Sequence, residues 1–175
     1  MHIIFLATCF SIISLHAIAQ ESKLQFENPR FSEIQSIEQT EGGRKYTYSF
    51  AISVSKNYFP NSDNFNLAAP VIYFRNTYPL KTEVDYFYSL PDSIVRLKEY
   101  TWNSSNSTID SLKVLFEKNK ETISTYLKDN GTTTFEDHTT WTQKTIIWEN
   151  ETTYVKQFMV IGSSTYRVRV LVSWK

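Results

Sequence analysis

Glu136-Asp137-His138 is the one place in the chain where an imidazole stands beside carboxylates. A Ser–His–Asp relay there would use His138 as general base, a neighbouring acid to orient it, and a serine from elsewhere. No Gly-x-Ser-x-Gly elbow presents that serine. With Gly42, Gly43, Gly131 and Gly162 as the only glycines, no glycine-rich phosphate loop can form either. His138 is therefore expected to be a solvated loop residue. Glu83 and Asp85 lie two apart on an expected strand and so share one face. Glycoside hydrolysis needs two carboxyls about 5–10 Å apart across a cleft, which makes acid pairs of this kind the remaining route to catalysis. Asn61-Ser62-Asp63-Asn64-Phe65-Asn66 offers hard oxygen ligands, but it lacks the central Gly and terminal Glu of a calcium loop. It reads as a turn-forming loop, and neither a metal nor a cofactor is expected.

The aromatic residues give the positive hint. The chain holds twelve Phe, eleven Tyr and four Trp, and each large ring buries ~150–250 Å² when packed. Several of them standing on one sheet face would stack on sugar rings or grip an apolar ligand. Tyr73, Tyr86, Tyr88, Trp102, Trp141 and Trp148 are the candidate ligand-binding set.

The beginning of the chain bears on which chemistry survives. Ile3–Leu15 is an apolar run of signal-sequence length, too short for the ~20 residues of a membrane-spanning helix. Ala17-Ile18-Ala19 follows as an A-x-A cleavage pattern, so residues 1–19 are expected to be a signal peptide and the mature chain to begin at Gln20. Cleavage removes Cys9, His2 and His16 and leaves His138 alone. The mature protein then has no disulfide, no Cys/His zinc site and no thiol nucleophile. Lys plus Arg and Asp plus Glu both number 18, a net charge of zero. That balance argues against nucleic acid as a partner, because phosphate binding draws on a basic excess. No later segment is apolar enough to span a bilayer.

Residues 20–43 are polar and mixed and read as an irregular N-terminal segment, although Leu24, Phe26 and Phe31 are suited to dock on the body. Residues 44–175 read as a single α+β domain. Alternation predicts strands over Lys45–Val54, Val71–Thr77, Glu83–Ser89 and Ile94–Trp102, the last two joined by a tight turn at Leu90-Pro91-Asp92-Ser93. Ile109, Leu112, Leu115, Phe116, Ile123, Tyr126 and Leu127 recur at helical spacing, and Asp129-Asn130-Gly131 ends that helix. A Thr-rich connection leads to three more strands, Trp141–Trp148, Thr153–Ile161 and Thr165–Trp174. The expected fold is an antiparallel sheet of about seven strands (four, one long helix, three) with the helix packed on one face.

The stretch from Tyr86 to Trp102 (Tyr-Phe-Tyr-Ser-Leu-Pro-Asp-Ser-Ile-Val-Arg-Leu-Lys-Glu-Tyr-Thr-Trp) resembles a segment of small secreted Bacteroidetes proteins of unknown function. The resemblance implies a periplasmic or surface location and carries no activity or functional residue with it. The reading that follows is a non-catalytic exported domain that binds a partner protein, a glycan or a small apolar ligand. The alternative is a carboxylate-based hydrolase acting on an envelope or extracellular glycan.

Overall fold

Eight runs of extended chain pair into one antiparallel sheet in the computed structural model, which describes residues 23–49 and 52–175. The expected signal peptide lies outside the described residues. The elements in chain order are α1 (Phe31–Thr40), β1 (Gly43–Tyr46), β2 (Val71–Arg75), β3 (Thr82–Tyr88), β4 (Val95–Ser104), α2 (Ile109–Leu127), β5 (Thr132–Asp137), β6 (Trp141–Glu149), β7 (Thr153–Gly162) and β8 (Tyr166–Trp174). The strand order is β1-β2-β3-β4-β8-β7-β6-β5. The first four strands run from one edge to the centre, α2 carries the chain to the far edge, and the last four run back. β4 and β8 therefore meet at the centre, with Tyr100 opposite Val170.

Period-two alternation divides the sheet residues between two faces. Val84, Tyr86, Tyr100, Trp102, Trp148, Val155, Val168, Val170 and Val172 point to the helix side, where they pack with Leu112, Phe116 and Ile123 of α2 and Ile34 of α1. Phe87, Leu97, Phe158 and Leu171 point the other way, and the loop after β1 covers them with Phe59, Tyr58 and Phe65. Gly131 lets the chain pass from α2 into β5. Its φ is +71°, and a Cβ there would meet the Trp148 ring at 2.7 Å.

Four expectations need correction. The segment 20–43 is not irregular throughout: Phe31–Thr40 is helical, with Glu33 accepting from the Arg30 N–H at 2.6 Å, and Ile34 and Glu38 buried. The helix forms because Glu38 finds a buried cationic partner on β2, which the local polarity of the segment hides. The first strand stops at Tyr46 instead of Val54, because Ile52 and Val54 turn to cover the second face. The Thr-rich connection is the strand β5, paired with β6 from Thr132↔Ile147 to Asp137↔Thr142. Threonine is β-branched and suits that conformation. Among the described residues the sheet accordingly has eight strands, with two α-helices beside it, within the antiparallel α+β class expected. Among the described residues, no helix is long and apolar enough to cross a membrane.

Candidate functional site

A cleft of about 1370 Å³ lies between segment 23–29, α1 and the C-terminal half of α2. The segment 23–29 is held from below. The Trp174 indole N–H donates to the Phe26 carbonyl at 3.0 Å, and the Gln25 N–H donates to the Tyr100 hydroxyl at 3.1 Å. Leu24 and Phe26 thereby become part of the core. The Phe26 ring carries the Tyr126 ring on it at 4.2 Å with the planes 12° apart. Tyr126 remains 52% exposed, so the pair presents a flat aromatic wall to the cleft. Around it stand Gln25, Glu27, Ser36, Glu121 and Thr125.

Beneath the cleft sits a buried polar network. Arg75 on β2 binds Glu38 of α1 through Nε–Oε2 at 3.0 Å and Nη2–Oε1 at 2.6 Å, and the Tyr86 hydroxyl donates to Glu38 Oε1 at 2.5 Å. Burial opposes the Arg75 charge, but the hydrogen bond and charge of Glu38 prevail and hold the guanidinium above its ordinary range. Burial, reinforced by Glu38, likewise pushes the Tyr86 hydroxyl up. Lys98, 1% exposed, is the floor of the cleft. Its ammonium has two acceptors at long range, the Gln25 side chain at 3.5 Å and the Glu27 carbonyl at 3.4 Å. It also lies over the rings of Tyr86 and Trp174 at 5.5 and 5.9 Å. Burial, with Arg75 nearby, pulls its pKa down to about 8.

The opposite face of the sheet carries the acid pair read from the sequence, with a third member. Asp85 on β3 is directly opposite Glu99 on β4, with Glu83 two residues away on the same face. Glu99 is held by Arg169 of β8, whose Nε donates to Oε1 at 2.5 Å, and by the Thr101 hydroxyl at 3.1 Å. Asp85, 8% exposed, has one carboxylate oxygen buried with no hydrogen-bond partner among the described residues. Burial, then the charges of Glu99 and Glu83, push its carboxyl up to about 8. Glu83 is raised for the same first two reasons, burial and Glu99.

The six aromatics picked from the sequence are dispersed. Tyr73, Tyr86, Trp102 and Trp148 are buried in the helix-side core. Tyr88 is half-buried against Phe31 at 4.4 Å, and Trp141 stacks on the His138 ring at 3.9 Å beside a shallow recess at the β6–β7 end. None of the six lines the cleft. Period-two alternation placed most of them on the inner face, which the helices cover. The cleft residues Leu24, Phe26 and Tyr126 were legible only as apolar positions of a docking segment and of a helix. His138 lies 3.6 Å from Glu136 and is half exposed. In the Asn-rich loop, Asp63 pairs with Lys56. Comparison with protein-family models, with curated proteins and with solved structures finds no match to this chain. The fold and the cleft together define an open-sheet α+β domain with a lateral recess.

Proposed function

We propose that this chain is an exported, non-catalytic binding domain and that its ligand is a glycan seated in the cleft beside Tyr126. The observation that carries the reading is the exposed Tyr126 ring, stacked flat on buried Phe26 and flanked by Ser36, Thr125, Glu27 and Glu121. A sugar ring has one apolar face and a rim of hydroxyls. A flat aromatic surface bordered by carboxylates, amides and hydroxyls offers stacking to the first and hydrogen bonds to the second. Phe26 orders the tyrosine before any ligand arrives, which reduces the entropy lost on binding.

The test is titration calorimetry with neutral hexasaccharides of glucose, galactose, mannose and N-acetylglucosamine. At least one should bind, and Tyr126→Ala should weaken it by about tenfold, a loss of about 1.4 kcal/mol. Absence of binding across the panel, or affinity indifferent to Tyr126→Ala, would sink the proposal. Sequencing the N-terminus of the exported protein tests the location, with Gln20 as the expected first residue.

One observation favours the alternative, a carboxylate-based hydrolase: Asp85, held protonated near neutrality, faces Glu99 across the β3–β4 pair. Release of reducing ends from the same hexasaccharides, abolished by Asp85→Asn, would establish that reading instead.

A further inference from the structure

The two edges of the sheet are unlike. β1 at one edge is four residues long and carries Arg44 and Lys45. Short length and positive charge are the usual means of keeping a foreign strand away. β5 at the other edge, Thr132-Thr133-Thr134-Phe135-Glu136-Asp137, is six residues long and exposed at every position. It has no Lys, no Pro and no irregularity in its register with β6. Among the described residues nothing pairs beyond it. Its Phe135 is 65% exposed, and Phe135 sits opposite Lys144, which binds Glu117 of α2 at 2.8 Å. Phe135 thus gives the open edge an apolar side chain on its helix side.

We infer that β5 is a pairing edge for a second copy of this chain, joined antiparallel β5 to β5 so that the two sheets become one. The charge pattern of β5 is compatible with a second copy and sets the direction. Two copies related by a twofold axis through the seam must oppose residues of the same face. The two central registers are Thr134 against Thr134 and Phe135 against Phe135. In the first, Glu136 meets Thr132 and Asp137 meets Gly131. In the second, Glu136 meets Thr134 and Asp137 meets Thr133. Neither opposes two acids. Parallel pairing would set Glu136 against Glu136 and Asp137 against Asp137, an arrangement that like charges directly opposite disfavour. Six paired residues bury less than the ~1,200 Å² of a standard stable interface, so the association is reversible and depends on concentration.

The experiment uses the protein purified in its natural processed form. Sedimentation velocity over a concentration series should show a monomer–dimer equilibrium, and the outward-facing amides of Thr133, Phe135 and Asp137 should gain hydrogen-exchange protection as the dimer fills. Thr133→Pro removes an outward-facing edge N–H, because the His138 N–H bond to the Trp141 carbonyl sets the amides of Thr132, Thr134 and Glu136 toward β6, and a sheet edge tolerates proline at such a position. Phe135→Lys places a charge at the seam and leaves the backbone intact. Each should weaken association at least tenfold, and Arg44→Glu on the opposite edge should leave it unchanged. A protein that stays monomeric up to about 1 mM, a dimer in which those outward-facing amides remain unprotected, or sensitivity to Arg44→Glu with indifference to Phe135→Lys would each overturn the inference.

Discussion

The two faces of the sheet are built on different terms. The helix side buries three tryptophans, several tyrosines and an ion pair, Glu38–Arg75, whose oxygens and nitrogens answer one another. The loop side buries fewer large side chains and leaves Asp85 facing Glu99 and Glu83 with one oxygen unpartnered. A charge buried with its partner serves to fix position; a carboxyl buried among other carboxyls stays neutral until pH forces it. The helix side is thus where the fold is specified, and the loop side is where its stability responds to conditions. The same contrast separates the cleft, a recess over the helix-side core, from the acid group, which lies on the other face of the sheet and outside that cleft.

The largest expected effect breaks the first half of that contrast. Arg75→Met leaves Glu38 buried with the Tyr86 hydroxyl and should cost about 3–5 kcal/mol in urea unfolding. Adding Glu38→Gln to it should recover a substantial part, because the uncompensated charge is then gone. If the double variant is as unstable as the single, the pair is held by packing and not by charge.

The next effect contrasts the two faces through pH. Asp85 has a folded pKa of about 8 against an ordinary 3.8. Between those values the folded state binds the extra proton, so this group's contribution to stability is complete below about pH 4 and is lost as pH rises to about 8. Arg169 on β8 opposes the shift, and Tyr48 on the covering segment lies close enough for its own ionisation to feel Asp85. Lys98 on the helix side works in the adjoining window with opposite sign. Its folded pKa of about 8 lies below the ordinary 10.5, so the unfolded state binds the extra proton and stability rises from pH 8 to about 10.5. Arg75, Glu27, Glu38 and Glu41 are the charges that face it. Together they predict a stability minimum near pH 8. Asp85→Asn should remove the falling limb and raise stability at pH 7 by about 4 kcal/mol at one pKa unit per 1.36 kcal/mol. Lys98→Met should remove the rising limb. Denaturant unfolding at pH 5, 7, 8 and 10 reads both, and a profile indifferent to Asp85→Asn would refute the buried-acid account.

How much of this was legible beforehand follows from range. Alternation is a local signal, so the strands β2, β3, β4, β6, β7 and β8 and the helix α2 could be read directly, as could the shared face of Glu83 and Asp85. Glu99 could not be assigned to them, because its place beside Asp85 depends on the β3–β4 register. Helix α1 was missed because its stability comes from Glu38 meeting Arg75, 37 residues away. Strand β5 was missed because Thr132–Phe135 lacks alternation and takes its conformation from β6. The cleft was invisible for a related reason. Its wall joins Phe26 to Tyr126, residues with no relation in sequence, and the aromatic set chosen from strand patterns was mostly the set that alternation buries.

The smallest expected effect asks whether the loop side is held by its apolar contacts alone. Tyr58 stacks on Phe158 at 5.6 Å and receives Arg169 at 5.2 Å and Lys156 at 5.4 Å over its ring. Arg169 is also the residue that holds Glu99, so the Tyr58 ring connects the covering loop to the acid group. Tyr58→Leu keeps an apolar side chain over Phe158 and loses the interaction with the two cations, at about 1 kcal/mol. If the cations help to hold the loop, amide exchange should speed up across residues 52–68 while α1 and α2 keep their protection. Unchanged exchange in the loop would mean that Phe59, Phe65 and Leu67 hold it by burial alone, and that the acid group and its cover are independent. Equal acceleration on both faces would remove the contrast itself, since the loop side would then be no more separable from the core than the helices are.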